Sequence, residues 1–448
     1  MRGHDWILKT AFCCTILLAC KHAPDVDNPP DTPAVPSGVA SGAMYNLYRF
    51  TANTNDQDGD SVSYRFDWGD GDTSDWTSFH ASGETAFGEH RWLDSGAFEI
   101  RAQAMDMAGA ASDWSSELPI TIARGPRWPD SIISTVEVGV APIGVAALPD
   151  GEFVYVANNA DGTVSVIRTQ DNTVVATVAV GAGPWGIAAS PTGELVYVAN
   201  SEGNTISVIR TADNIVADSI VVWGSPTELA ILPDGDYLYA IHSEYKVVSV
   251  IRTSDNTLLK TIPLSGWPSS LIATPSGEFV LVACYDEAPL SIIETSRQIV
   301  TNTVDVGDYA SGIAITPDGA RAYVSIAEDL ATQLPGLCVV RLSDFAVVDT
   351  LIGLSSYACE PQAASCTPDG AYVIVLPSEP DWAYIDVVST VTNQLVARVG
   401  DEAAYAYGPY GLAVLPDGRI YSANEGDDTV TVFGYSSVYR GAGRRLPR

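Results

Sequence analysis

The stretch EFVYVANNADGTVSVIRTQDN, residues 152–172, is followed 42 residues later by ELVYVANSEGNTISVIRTADN, residues 194–214. Each copy holds two runs rich in Val, Ile and Tyr around a polar turn, the pattern of a strand pair. A Pro-x-Gly turn stands before each copy and keeps recurring. It begins at Pro149, Pro191, Pro233, Pro275, Pro317, Pro368 and Pro416, with spacings of 42, 42, 42, 42, 51 and 48 residues. A period near 42 with several short strands per unit is the signature of a propeller. Seven turns mean seven blades.

One unit reads as four strands, at 186–191, 195–200, 205–211 and 215–222. The second is apolar on both faces, as a sheet covered on both sides requires. The last unit offers GLAVLP, RIYSAN and TVTVFGY but no fourth strand, whereas IISTVEVG at 132–139 looks like a fourth strand with no unit ahead of it. Pairing the two ends removes both free sheet edges. The expected fold class is therefore all-β: a seven-bladed β-propeller over 126–441, closed by its N-terminal strand, with a short basic tail at 442–448. VYVAN at 154–158 and 196–200, together with SVIRT at 165–169 and 207–211, resembles the YVTN-type propeller repeat of archaeal surface-layer and bacterial envelope proteins.

Residues 37–123 lack this period. Alternation in VSYRFDW and AFEIRAQA reads as strands, and Asp-Gly pairs mark tight turns. DWGDG at 67–71, His90-x-Trp92 and Gly96-x-Phe98 resemble a PKD domain, an immunoglobulin-like β-sandwich, which implies an extracellular spacer or adhesion module. Asp56, Asp58 and Asp60 alternate around Gly59. Oxygen ligands on a turn suit Ca²⁺, and some PKD domains bind it near such a turn; the competing reading is carboxylates that cap a solvated turn.

The N-terminus carries a short charged region, Arg2 to Lys9, then ten mostly apolar residues from Thr10 to Ala19. This is too short for a bilayer span of roughly 20 residues and suits an export signal. LLAC, Leu17 to Cys20, resembles the bacterial lipobox, which implies cleavage before Cys20 and acylation of its sulfur. The domain order expected is a lipoprotein signal peptide at 1–19, a Pro/Asp-rich tether at 20–36 that cannot build a core, the PKD-like domain and the propeller. In an exported chain Cys284, Cys338, Cys359 and Cys366 allow three disulfide connectivities. A Cys359–Cys366 bridge needs a loop that folds back, because seven extended residues span roughly 23 Å.

Formal charge is −32 over 448 residues. That field repels nucleic-acid phosphates, so DNA and RNA are excluded as partners, and the acidity serves solubility. The propeller holds one histidine, His242, at the end of a second strand where sister units have Asn158, Asn200 and Cys284. Triads, histidine metal clusters and histidine bases therefore lack their parts there. No cofactor is expected besides calcium in the PKD-like domain.

The extra residues of the 51- and 48-residue spacings fall in 328–337, 354–361, 377–383 and 400–409. In a propeller these loops share one face, where function tends to sit. They carry Tyr357, Trp382, Tyr405 and Tyr407 with Asp381, Asp401 and Glu402; Trp185, Trp223, Trp267, Tyr309 and Tyr410 fall near the same mouth. Rings beside carboxylates suit stacking on sugars or docking of a peptide; the alternative is packing between blades. The expectation is a binding surface on the last three blades anchored by Trp382, Tyr405 and Tyr407. The function expected is that of a lipid-anchored envelope protein, facing periplasm or exterior, whose propeller binds or scaffolds a glycan, peptide or envelope protein. The alternative is an extracytoplasmic enzyme at that face, either a carboxylate-based glycan hydrolase or lyase or a quinoprotein-like dehydrogenase.

Overall fold

A computed structural model describes residues 28–43, 48–92, 95–123, 128–285, 290–328, 335–352, 361–377, 383–401 and 409–435. The chain divides into two compact units, Met1–Gly125 and Pro126–Arg448.

The first unit is a β-sandwich. Strands Ser41–Ala43, Leu118–Ala123, Gly96–Asp106 and Val62–Asp67 form one sheet, and Tyr48–Ala52 pairs with Ala86–His90 in a second. Phe50, Tyr64, Phe66, Trp92 and Ile100 are fully buried between them. The DWGDG turn is locked by its neighbours. Trp68 stacks on His90 with centroids 4.9 Å apart, and the His90 Nε2 lies 2.7 Å from Asp70 Oδ2. Gly69 adopts φ 78°, and a side chain there would meet the Glu99 backbone nitrogen at 2.7 Å, so glycine answers both the left-handed backbone and the close approach.

The second unit consists of seven four-stranded antiparallel sheets. The blade quoted first runs Pro142–Ala147, Phe153–Asn158, Thr163–Arg168 and Thr173–Ala179; the next runs Pro184–Ala189, Leu195–Asn200, Thr205–Arg210 and Ile215–Val221. The innermost strand begins and ends two residues earlier than the sequence pattern implied. Ser190 belongs to the turn instead: the Gly193 N–H donates to its carbonyl at 2.9 Å, with Gly193 at φ 73°. Burial falls outward across each blade. Val154, Tyr155, Val156 and Ala157 of the second strand are fully buried, while the fourth strand is mostly exposed.

Conserved-looking letters of the repeat turn out to be contacts between blades. Tyr155 donates its hydroxyl to Asn214 Oδ1 of the next blade at 2.7 Å; Tyr323 does the same to Asn393 at 2.9 Å, and Tyr421 to Asn172. The accepting asparagines sit at φ 49–54° in the outer turn, a conformation asparagine tolerates. Where Gln298 takes that turn position (φ 52°), the facing Tyr239 hydroxyl is buried without a partner. On the same turn face, Gly193 packs against Pro149, Gly235 against Pro191 and Gly151 against Pro416 of the preceding blade.

The ring closes as expected. Ser131–Glu137 is the outer strand of the last blade, antiparallel to Thr429–Gly434 with Thr429 opposite Glu137 and Gly434 opposite Ser131. Asp428 extends the seam: its carbonyl accepts the Val138 N–H at 3.0 Å and its Oδ1 the Ala141 N–H at 2.9 Å. Three of the four cysteines considered for disulfides, Cys284, Cys338 and Cys366, stand as thiols; Cys284 and Cys338 are enclosed in blade interiors, and burial pushes the Cys366 thiol up to about 12. Cys359 lies outside the described residues.

Deleting residues 131–139 exposes a hydrogen-bonding edge in the last blade. With blades that bury their faces only against neighbours, differential scanning calorimetry should show the propeller transition broadened and lowered by roughly 10 °C or more. An unchanged transition would mean that this strand does not hold the ring.

Candidate functional site

The seven innermost strands converge on a central channel. Their third positions can be aligned after the strand's leading residue: Gly144, Gly186, Glu228, Ser270, Gly312, Ala363 and Gly411. The small residues reflect crowding. An ideal Cβ on Gly144 would lie 2.1 Å from the Trp185 carbonyl oxygen, and one on Gly411 2.0 Å from that of Ile143. The third blade breaks the pattern. Its innermost strand is cut to Leu229–Ile231, and Glu228 projects a carboxyl group where its sisters carry little or nothing. Gly186 leaves the space, since a Cβ there would stand 3.2 Å from Glu228 Oε2.

The channel holds a cavity of 370 Å³ lined by residues of all seven blades, with Glu228 as the one charged residue among its described lining residues. Its other polar side-chain groups are the hydroxyls of Ser269, Ser270, Ser311, Ser365 and Tyr285 and the indole N–H of Trp185. Glu228 keeps part of its surface accessible from the channel, but the enclosing walls withdraw its carboxyl from bulk water and push it up to about 7, while the backbone N–H of Leu229 pulls the other way. A cleft of this size with a few convergent polar groups and a perturbed acid has the character of a ligand site.

Trp185 and Tyr285 line the same cavity, and Tyr285 links it to an arc of exposed rings. Trp223 is 60% exposed and Tyr285 46%, and Tyr245, Trp267 and Tyr309 are also exposed. Trp223 and Trp267 lie where the outer strand of one blade leads into the inner strand of the next, Tyr245 and Tyr285 where a second strand leads into a third, and Tyr309 at the start of the inner strand Asp308–Ile315. They are organised in pairs. Trp223 and Tyr245 have centroids 4.6 Å apart, Tyr285 and Tyr309 5.2 Å apart, and Lys246 Nζ sits 4.7 Å from the Trp267 ring. Gly224, at φ 79°, lets Tyr245 fold over it: a Cβ would meet the ring at 2.7 Å. Tyr309 itself stands at φ 54°, unusual for a bulky residue.

Of the expected anchors, Tyr357, Asp381, Trp382, Glu402, Tyr405 and Tyr407 lie outside the described residues. Asp401 ends the strand Gln394–Asp401 and Tyr410 belongs to Pro409–Val414, but their side chains are likewise outside. Trp185 is brought to the channel, and Trp223, Trp267 and Tyr309 to the rim. Among the described residues the aromatic face is thus on blades two to five. His242 is fully buried, with Nε2 2.7 Å from Ser249 Oγ and Nδ1 3.2 Å from the Gly224 carbonyl. It replaces the asparagine that elsewhere bridges the same strands: Asn200 Nδ2 donates to Thr205 Oγ1 and Ser207 Oγ, each at 3.0 Å. Burial lowers its pKa.

The three aspartates considered for calcium serve their own turn. Asp56 Oδ1 accepts the Asp58 N–H at 2.9 Å and the Asp60 N–H at 3.0 Å, which is turn capping. Asp58 Oδ2 accepts the Asn28 N–H at 2.8 Å. Among the described residues no group of three His, Cys, Asp or Glu is arranged to hold a metal ion.

Comparison with known proteins agrees with this architecture. The PKD domain family model matches residues 32–116. The model described as lactonase, 7-bladed beta-propeller, matches 132–215. The chain joins a PKD domain to a seven-bladed β-propeller. No curated protein matches it. Among solved structures, a chain of Kuenenia stuttgartiensis hydrazine synthase is similar at 20% identity, covering 70% of this chain and 99% of its own, with a TM-score of 0.59. At that identity the likeness shows the fold alone.

The Glu228 carboxyl sets a pH dependence. Its folded-state pKa lies above the ordinary 4.5, so the protonated form favours the fold. That contribution is complete below pH 4.5 and is lost as pH rises through about 7. Glu228→Gln, which imitates the protonated acid, should stabilise the propeller at pH 8 by up to about 3 kcal/mol, with the difference closing toward pH 4.5 in denaturant titrations. Equal stability of both chains at both pH values would place the carboxyl in water.

Proposed function

We propose that this protein is an exported, lipid-anchored envelope component whose propeller is a binding or scaffolding module for a glycan, a peptide or an envelope protein. The observation that carries the reading is the arc of exposed Trp223, Tyr245, Trp267, Tyr285 and Tyr309 on one face of a rigid ring. Grouped exposed rings of this kind mark interaction surfaces, and they stack on sugars or peptides while keeping a polar edge in water. The mouth of an acidic channel lies beside them. A carboxylate-based hydrolase needs two acids about the scissile bond, and among the described lining residues Glu228 is alone. The lactonase match covers only 132–215, the first two blades, and so speaks for the repeat rather than for a channel built by seven.

The anchor reading rests on Leu17 to Cys20 in the sequence, with the PKD domain between tether and propeller along the chain. The YVTN resemblance, carried by residues 154–158 and 196–200, supports the same envelope setting.

Glycan and peptide arrays probed with the purified protein identify the ligand class. Against a ligand so found, Trp267→Ala should weaken binding roughly thirtyfold, the ~2 kcal/mol of an aromatic anchor. Its melting point should stay within a few degrees because the ring is 43% exposed. Unaltered affinity for Trp267→Ala and Trp223→Ala alike would remove the rim from the binding surface. For the anchor, Cys20→Ala should abolish acyl labelling and release the chain from membranes; retained label refutes it.

A further inference from the structure

We propose that the propeller channel receives a primary ammonium group of a bound ligand, with the Glu228 carboxylate as its counterion. This deepens the binding-module reading and rests on it. The fold supplies the first argument. Six innermost strands place Gly, Ser or Ala at the third position, and at the four glycines neighbouring backbones leave no room for a side chain. In the third blade the regular strand is Leu229–Ile231, the pairing to Ile241 continues through Thr227 and Glu228, and the space beside Gly186 admits the glutamate side chain. An ionisable side chain set into a cavity of 370 Å³ without a charged neighbour among the described lining residues calls for a partner of opposite charge.

The chain does not supply that partner among the described lining residues. Gly186 of the preceding blade stands beside Glu228; Trp185 of that blade, Ser269 and Ser270 of the following one, and Tyr285, the other titratable group, share its cavity, and among the described lining residues there is no Lys, Arg or His. A divalent metal fits poorly, because hard cations take six or more oxygen ligands with several carboxylates and among the described residues no three acidic or metal-ligating groups converge here. A primary ammonium fits better. It carries three donors, one for the carboxylate and two for serine hydroxyls. The Ser269 hydroxyl hydrogen is already given to the Ala310 carbonyl, so its oxygen is left to accept. The rings of Trp185 and Tyr285 in the same cavity suit the alkyl stem and the cation. A formal charge of −32 draws cations toward the mouth.

Binding then ionises Glu228, and the carboxyl proton passes to solvent. The probe is n-butylammonium chloride, with 1-butanol as the uncharged control, titrated calorimetrically into the full chain at constant ionic strength. We expect saturable binding of n-butylammonium and none of 1-butanol. Because the carboxyl titrates at about 7, the apparent Kd should be about tenfold weaker at pH 6 than at pH 8, and at pH 7 two buffers of different ionisation enthalpy should report release of about half a proton. Glu228→Gln should weaken binding at least tenfold and abolish the proton release. The proposal is overturned if 1-butanol binds as well, if the Kd is the same at pH 6 and pH 8, or if calcium chloride displaces n-butylammonium stoichiometrically. Array binding that persists in Glu228→Gln while n-butylammonium fails would overturn the channel proposal and leave the module reading intact. An n-butylammonium response without any array ligand does the reverse.

Discussion

Everything in the propeller depends on one antiparallel pairing, that of Ser131–Glu137 with Thr429–Gly434. Each blade covers its two faces only with its neighbours, so an open ring would leave two sheet faces and two strand edges in water. Closure by a strand from the other end of the unit joins first and last residues through backbone hydrogen bonds. The seam then repeats the contacts found between other blades: Tyr421 to Asn172 and Pro416 against Gly151. The last interface is therefore built like the rest.

A closed ring of seven fixes the channel, and the channel explains why its innermost strands are so poor in side chains. Gly144, Gly312 and Gly411 are required by backbones that pass within contact distance. Against that requirement a glutamate is conspicuous, and the absence of a side chain at Gly186 beside its carboxyl leaves it room. The same geometry sends the loops that carry Trp223, Tyr245, Trp267, Tyr285 and Tyr309 to one end of the ring. Rim and acid thus form a continuous surface from exposed rings to a desolvated carboxyl group.

The fold was legible in the sequence because it is periodic. Strand length, turn chemistry and the missing outer strand are all written as local patterns, and the PKD motif closes on itself through Trp68, His90 and Asp70. The site was less so. Attention to insertions directed the reading to loops at 354–361, 377–383 and 400–409, whose expected anchors lie outside the described residues. Trp185, Trp223, Trp267 and Tyr309 were noticed, but Tyr245 and Tyr285 were not, because nothing in the linear pattern shows that they meet Trp223 and Tyr309. Glu228 was missed although its signal was present: aligning PIG, PWG, PTE, PSS, ASG, PQA and PYG exposes one acid in a column of small residues. Burial decides its meaning, and burial follows only after seven strands are set around an axis. At Asp56, Asp58 and Asp60 the alternation in sequence coincides with a turn in which Asp56 accepts the N–H groups of the other two.

The account turns on the state of the Glu228 carboxyl in the ligand-free channel. The most direct measurement is its own titration, read from the side-chain carboxyl ¹³C resonance assigned by difference from Glu228→Gln. The account predicts a midpoint at about 7, with the carboxyl half-ionised at neutral pH. A midpoint at the ordinary 4.5 would mean a hydrated surface acid and would contradict it.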